Sequence, residues 1–263
     1  MINVAVTGAS GKMGGLIIQN IARTDGVQLS AAFDLTNIGS DAGEIAQAGT
    51  LGVPVSNVEE MEQVLTETGT EVMIDFTIAK ATTANAPVVA GCGVNLVIGT
   101  TGFIPEQRKT IDDAIQKNNI SAIIAPNYSV GVNVFFKIIE EAAKYLSDTD
   151  IEIIEAHHNR KQDAPSGTAM RAAEVMGRVL GGKDYVFGRH GIAPREKEIG
   201  IHAVRGGDIA GDHTVLFAGD GERIEIKHQA HSRQAFAAGA VKAAEWIYKA
   251  EPGTYTMDDI LGL

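Results

Sequence analysis

The chain has 263 residues, enough for one large domain or two ordinary ones around a sizeable core. Apolar residues make up 44% and charged residues 21%, which sets aside disordered and fibrous classes. Twenty-two basic against thirty-three acidic residues leave a net charge of −11, which argues against nucleic acid or an anionic membrane as the main partner. An anionic ligand would have to be held by local donors.

No apolar run approaches the roughly 20 residues needed to span a bilayer, and Met1-Ile2-Asn3-Val4 lacks the basic start of a signal peptide, so a cytoplasmic protein is expected. The single cysteine, Cys92, has no thiol partner for a disulfide or a metal pair and reads as a small buried side chain.

In chain order, Ile2-Asn3-Val4-Ala5-Val6 reads as a strand running into Gly8-Ala9-Ser10-Gly11-Lys12-Met13-Gly14 and a helix through Leu16, Ile17 and Ile21. Glycines at 8, 11 and 14 suit a tight turn, close approach of a phosphate and packing of the helix on the sheet, with free amides at the helix start. Val27 to Phe33 reads as a second strand ending at Asp34, whose carboxylate can accept hydrogen bonds from an adenosine ribose. Strand, loop, helix, strand and acid in this order predict a dinucleotide site. Leu35 follows, so no adjacent cation awaits a 2′-phosphate; NADH is favoured over NADPH, although Lys12 could supply charge.

The alternation continues. Helices are predicted over Val58 to Leu65, Thr82 to Ala90 and Pro105 to Asn118, and strands over Glu71 to Phe76, Val94 to Ile98 and Ser121 to Ala125. Strands spaced by helices imply a mainly parallel sheet of Rossmann type, with ligands at the strands' carboxyl ends. Those ends carry Gly8, Asp34, Phe76-Thr77, Gly99-Thr100-Thr101 and Ala125-Pro126-Asn127-Tyr128. Taken alone, Thr100 and Thr101 serve equally as turn residues or ligand contacts.

Near Asn127 the rhythm stops. A helix through Val134, Ile138, Ala142 and Leu146 leads to a strand at Ile151, Ile153 and Ile154, and Pro165-Ser166-Gly167-Thr168 opens a further helix that ends at Gly181-Gly182. Ile199 to Val204, Thr214 to Ala218 and Arg223 to His228 read as strands, the last two a hairpin through Gly219-Asp220-Gly221. Strands grouped without helices predict a second, α+β domain with a mixed sheet. The helix Gln234 to Lys249 and a turn at Met257 to Leu261 close the chain. The expected division is 1–127 for dinucleotide binding and 128–239 for substrate binding and oligomerisation, with 240–263 packing back on the first domain.

Between the Ile151 strand and the Pro165 helix lie two imidazoles, an Arg, a Lys and two carboxylates: Glu155-Ala-His157-His158-Asn-Arg160-Lys161-Gln-Asp163. A group titrating near neutrality, His157 or His158, stands with a cation, Lys161, beside a nicotinamide domain. Hydride arriving at a carbon leaves negative charge on the substrate, so an acid must stand near the acceptor, and the His–Lys pair meets that need. Ser166-Gly167-Thr168 adds amides at a helix start, a seat for a carboxylate. A zinc site of Glu155, His157 and His158 is not expected, because successive strand residues diverge and no spacing suits zinc. His190, His202, His213, His228 and His231 receive no role.

The stretch Glu155 to Ala169 closely resembles the signature of the dihydrodipicolinate reductases. Val6 to Gly14, Ile74-Asp75-Phe76-Thr77, Val97 to Phe103, Asn127 to Asn133 and Arg205-Gly206-Gly207-Asp208 are similar to further landmarks of that family. The resemblance implies hydride transfer from NAD(P)H to 4-hydroxy-tetrahydrodipicolinate, a cyclic dicarboxylate, giving tetrahydrodipicolinate in lysine and diaminopimelate biosynthesis. It implies His157 as the acid with Lys161 as its partner in proton donation, and His158, Gly167 and Thr168 as holders of the substrate carboxylates. Gly8, Ala9, Ser10, Gly11, Lys12, Met13, Asp34, Gly99, Thr100, Thr101, Ala125, Pro126, Asn127 and Tyr128 would line the cofactor. It also implies a Rossmann domain, a mixed-sheet domain that builds a homotetramer, and a hinge between them. Leu35 and Asn159 depart from the pattern, standing where many relatives have Arg. The competing expectations are an NAD(H)-binding sensor without catalysis and a related amino-acid or semialdehyde dehydrogenase.

Overall fold

A computed structural model describes the whole chain, Met1–Leu263. In chain order it contains β1 (Ile2–Thr7), α1 (Lys12–Ile21), β2 (Val27–Phe33), α2 (Ala42–Ile45), β3 (Val55–Ser56), a 3₁₀ turn (Val58–Glu60), α3 (Met61–Glu67), β4 (Val72–Asp75), α4 (Ala79–Gly91), β5 (Asn95–Ile98), α5 (Pro105–Asn118) and β6 (Ser121–Ile124). Then come α6 (Val130–Tyr145), β7 (Asp150–His157), α7 (Gly167–Val179), β8 (Tyr185–Phe187), β9 (Ile199–Arg205), β10 (Gly211–Gly219) and β11 (Glu222–Ala230). The last elements are α8 (Gln234–Ile247), β12 (Gly253–Tyr255) and α9 (Met257–Leu261). No helix is long and apolar enough to cross a membrane.

Two compact units result. The first comprises Met1–Val130 and Gln234–Gly262, the second Gly131–Arg233. The returning segment thus begins at Gln234 rather than at residue 240. The whole of α8 belongs to the first unit because Ala237, Ala240, Val241, Ala244 and Ile247 are buried in one apolar cluster with Val4, Ile17, Ile74 and Val97. Gly239 makes a close approach possible there, since a Cβ at that position would stand 1.8 Å from the Tyr128 carbonyl oxygen.

The first unit is a seven-stranded sheet in the order β12-β6-β5-β4-β1-β2-β3, every pairing parallel. Such strands are covered on both faces, which is why β4 reads as an unbroken buried run, Val72 to Asp75. On α1, burial at Gly14, Ile17, Ile18 and Ile21 follows one helical face. Proline at the first position of α5 and a left-handed Asn119 at its end explain why that helix has the bounds its sequence predicts.

The second unit is a five-stranded mixed sheet, β11-β10-β7-β9-β8, in which β10 runs antiparallel to β11 and β7, and β7, β9 and β8 run parallel. Helices α6 and α7 cover one face through Phe135, Ile139, Ala173 and Met176, packed on Ile151, Ile153, Val215 and Phe217. Burial alternates along β7, with positions 151, 153, 155 and 157 inward and Ile154 outward. Two polar residues, Glu155 and His157, therefore lie on the apolar side of the sheet.

Candidate active site

In the first unit, the β1–α1 turn brings backbone amides to the sheet's carboxyl edge. Gly8 has φ +75°, open to glycine and unfavourable to other residues, and its amide donates to Phe33 O. A Cβ on Gly14 would lie 2.0 Å from Gly8 O, so only glycine lets α1 close on the turn. No side chain caps α1 at Gly11, leaving its first amides and the positive end of its dipole available. Asp34, at the end of β2, is fastened to this turn: Oδ2 accepts the Ser10 amide at 3.0 Å, and Oδ1 accepts the Leu35 and Thr36 amides. Amides for a pyrophosphate next to a carboxylate for a ribose fit a dinucleotide.

The loops after β4, β5 and β6 are tied together beside it. Asp75 is 2% exposed, and its Oδ1 accepts hydrogen bonds from the Thr77 amide and hydroxyl, from Thr82 and from Thr100. Burial pushes the Asp75 carboxyl up against the opposing pull of these donors. Nothing in the sequence around Asp75 marked it as a hub; the signal available was two threonines placed just after strand ends, Thr77 and Thr100, with Thr82 in the first turn of α4. Thr100 is buried within this cluster, whereas Thr101 is exposed. Gly99 is confined by the Phe76 ring, 2.2 Å from where a Cβ would stand. Ala125 donates to Ile98 O, and Asn127 Oδ1 accepts the Ser129 amide. Tyr128, expected to line the cofactor, is 1% exposed with its hydroxyl on the carbonyls of Ile98 and Ile123, so its side chain belongs to the core.

In the second unit the expected residues gather around one that was not expected, Glu155. Its side chain has no exposed surface. Oε2 lies 2.6 Å from His157 Nδ1 and accepts Arg205 Nη1 at 2.7 Å, and Oε1 accepts Arg205 Nη2 at 2.7 Å and the Ser166 amide at 2.9 Å. Burial alone would raise this carboxyl, but the bonds from His157, Arg205 and Ser166 outweigh it and hold it at about 2. Glu155 is thus an anion that only accepts. Arg205 also donates to Asp163 O, anchoring the loop that follows His158.

Ser166 serves both sides of the site. Its Oγ caps α7 by accepting the Ala169 amide and lies 3.0 Å from His213 Nε2. The His213 ring meets His157 edge-on, 5.1 Å between centroids, and burial, with His157 next in weight, lowers His213 to about 4. It is neutral at pH 7. Gly167 begins α7 in the open, with nothing within 4 Å of a Cβ built there, and Thr168 is partly exposed beside it.

His158 lies one residue beyond the end of β7, and its buried Nδ1 has no hydrogen-bond partner. Desolvation, then Arg160, Arg233, His157 and Lys161, hold its pKa below the usual value, which marks a locally electropositive patch in an acidic chain. Lys161 Nζ donates to Asp163 Oδ2 at 2.8 Å, so this cation has a counterion, though an exposed one. No group of three or more His, Cys, Asp or Glu side chains suits a metal ion. Cys92 is half-buried rather than buried, and burial raises its thiol.

A parallel sheet with a glycine turn, and a mixed-sheet unit with a buried imidazole–carboxylate pair, define the class of pyridine-nucleotide oxidoreductases. Models of the dihydrodipicolinate reductase N-terminus and C-terminus match residues 2–128 and 131–261. The 4-hydroxy-tetrahydrodipicolinate reductase of Methanococcoides burtonii is 73% identical over 262 residues, all of both chains, and that of Methanosarcina acetivorans 69% identical over 263, again all of both. A dipicolinate-bound dihydrodipicolinate reductase from Paenisporosarcina sp. TG-14 superposes with a TM-score of 0.79 at 28% identity over 97% of each chain. The chain belongs to the dihydrodipicolinate reductase family.

Proposed function

We propose that this protein reduces 4-hydroxy-tetrahydrodipicolinate to tetrahydrodipicolinate in the route to diaminopimelate and lysine, taking up one hydride and one proton while the 4-hydroxyl leaves as water. The observation that carries the reading is the second unit's acid: His157 is anchored through Nδ1 on a buried carboxylate that also holds the Ser166 amide, at a helix start that is open at Gly167. When bound in the first unit, the nicotinamide supplies the hydride. His157 donates the proton that the substrate needs as charge develops on it, with Lys161 assisting and releasing Asp163 to do so. Gly167, Thr168 and His158 hold the substrate's carboxylates, which the α7 amides and the cations around His158 favour.

The turn from Gly8 to Met13, with Gly99, Thr101, Ala125, Pro126 and Asn127, lines the dinucleotide, and Asp34 receives the ribose. Asp34 without a neighbouring cation favours NADH, because a 2′-phosphate would meet a carboxylate and the 75% exposed Leu35. The enzyme acts in the cytoplasm as a homotetramer. Self-association is supported by the second unit's sheet, whose helix-free face presents Ile154 and Val204, 40% and 47% exposed.

Steady-state reduction of freshly generated substrate, with NADH and NADPH compared side by side, tests both parts. Turnover is expected, faster with NADH at low concentration. No turnover in protein that binds NADH would return the chain to a sensor or to a sister dehydrogenase, and equal use of both nucleotides would move phosphate recognition to Lys12.

A further inference from the structure

We infer that Glu155 is a positioning residue for the proton donor: it fixes which nitrogen of His157 gives up the proton and holds that ring in register with the helix start that seats the substrate. The inference rests on the reading of His157 as the acid.

Three of the four bonds to the Glu155 carboxylate come from groups that can only donate, the two Arg205 nitrogens and the Ser166 amide. Paired to an arginine through both oxygens, the carboxylate is an acceptor toward its fourth partner as well. His157 Nδ1 therefore carries its hydrogen toward Glu155, and Nε2 is the nitrogen that exchanges a proton with substrate. The fold keeps Nε2 clear. Gly211 on β10 faces it, and a Cβ there would approach Nε2 to 3.0 Å and Cδ2 to 3.4 Å.

The same carboxylate reaches the substrate seat. Oε1 holds the Ser166 amide, and Ser166 caps α7, whose next residues are Gly167 and Thr168. Arg205, on β9, closes the arrangement by gripping Glu155 with both terminal nitrogens and Asp163 O with one of them. Donor, seat and intervening loop are thus referred to a single side chain, with His157 adjacent on the same strand face. The charged and titratable groups around His157 are Glu155 on its own strand, His158 just past the strand's end, Arg205 on β9, His213 on β10 with His228 beyond it on β11, and Lys161 and Asp163 in the loop. Among them Glu155 is the anion that touches the ring. An imidazolium formed before proton donation is stabilised by that contact.

Glu155→Gln tests the inference because the amide keeps the shape and removes the charge. We expect kcat to fall on the order of 10²-fold, by analogy with other orienting carboxylates, with KM for NADH unchanged. The limb of the kcat profile on which rate falls with rising pH should move lower, since the imidazolium has lost its counter-charge. A variant with lowered melting temperature, full kcat and an unmoved limb would make Glu155 merely structural and overturn the inference. Should Glu155→Gln fail to fold, ¹⁵N-histidine NMR of the wild-type enzyme decides: a protonated Nδ1 and a titrating Nε2 are expected, and the opposite tautomer contradicts it. His157→Gln serves as the control. Full turnover in that variant would remove the acid reading itself, while loss of turnover there and not in Glu155→Gln would remove only the role of Glu155.

Discussion

The two units prepare for their ligands by different physics. In the first, the sheet's carboxyl edge is shaped by backbone: a turn at Gly8, an uncapped helix start at Gly11 and glycines at 14 and 99 that let chain segments approach to distances no side chain permits. Its buried carboxylate, Asp75, is surrounded by hydroxyls and a neutral amide and is pushed up. In the second unit, the corresponding cluster is built from charge: Glu155 is equally buried but faces an arginine and an imidazole, and it is held down at about 2. Two inaccessible carboxylates are thus shifted in opposite directions: burial outweighs the hydroxyl and amide donors at Asp75, whereas the arginine, imidazole and amide donors outweigh burial at Glu155.

Substitutions should separate these modes, beginning with the backbone. Gly14→Ala forces a methyl into Gly8 O, and affinity for NADH is expected to fall at least about 10²-fold by calorimetry. The second unit should retain its fold in that variant.

Acid should strike the charged unit. His213 has a folded value of about 4 against an ordinary 6.5, so between those pH values the unfolded chain takes a proton that the folded chain refuses, and stability falls as pH drops through that window. The expected loss is about 3 kcal/mol, read by urea denaturation at pH 7 and pH 4. Glu155, ordinarily near 4.5 and here about 2, stabilises fully above pH 4.5, and its part is lost as pH falls from there toward 2. His213→Gln should flatten the upper window and leave the lower one.

Smaller effects come from exposed charge. Lys161→Ala is expected to lower kcat/KM about 10-fold, because it removes both a proton partner and a cation near the substrate; unchanged kinetics would leave Lys161 as the partner of Asp163 only. Smallest is Leu35→Arg, expected to improve kcat/KM for NADPH a few-fold, about 1 kcal/mol, with little change for NADH.

The same contrast governs what the sequence could tell. Periodicity and glycine spacing located β1, α1, β2, α5 and the β10–β11 hairpin, because those signals are local. They missed β3, β8 and β12, edge strands of two or three residues too short to show alternation. The glycine turn was legible at Gly8, Gly11 and Gly14. Glu155 was not, since its partner Arg205 lies 50 residues away and only the fold joins them. A signal was present nonetheless: Ile151 and Ile153 point to the core, and extending the alternation puts Glu155 there, where a carboxylate requires a partner. Tyr128 shows the reverse case, a polar residue beside a ligand-facing turn whose side chain the fold turns inward.

The central claim, that the second unit supplies the proton while the first holds the dinucleotide, is tested most directly by His157→Gln. Turnover with NADH and freshly generated substrate is measured alongside NADH affinity. The account requires kcat to fall about 10³-fold with NADH affinity unchanged. Near-normal turnover, or a loss of NADH binding that accounts for the loss of rate, would contradict it.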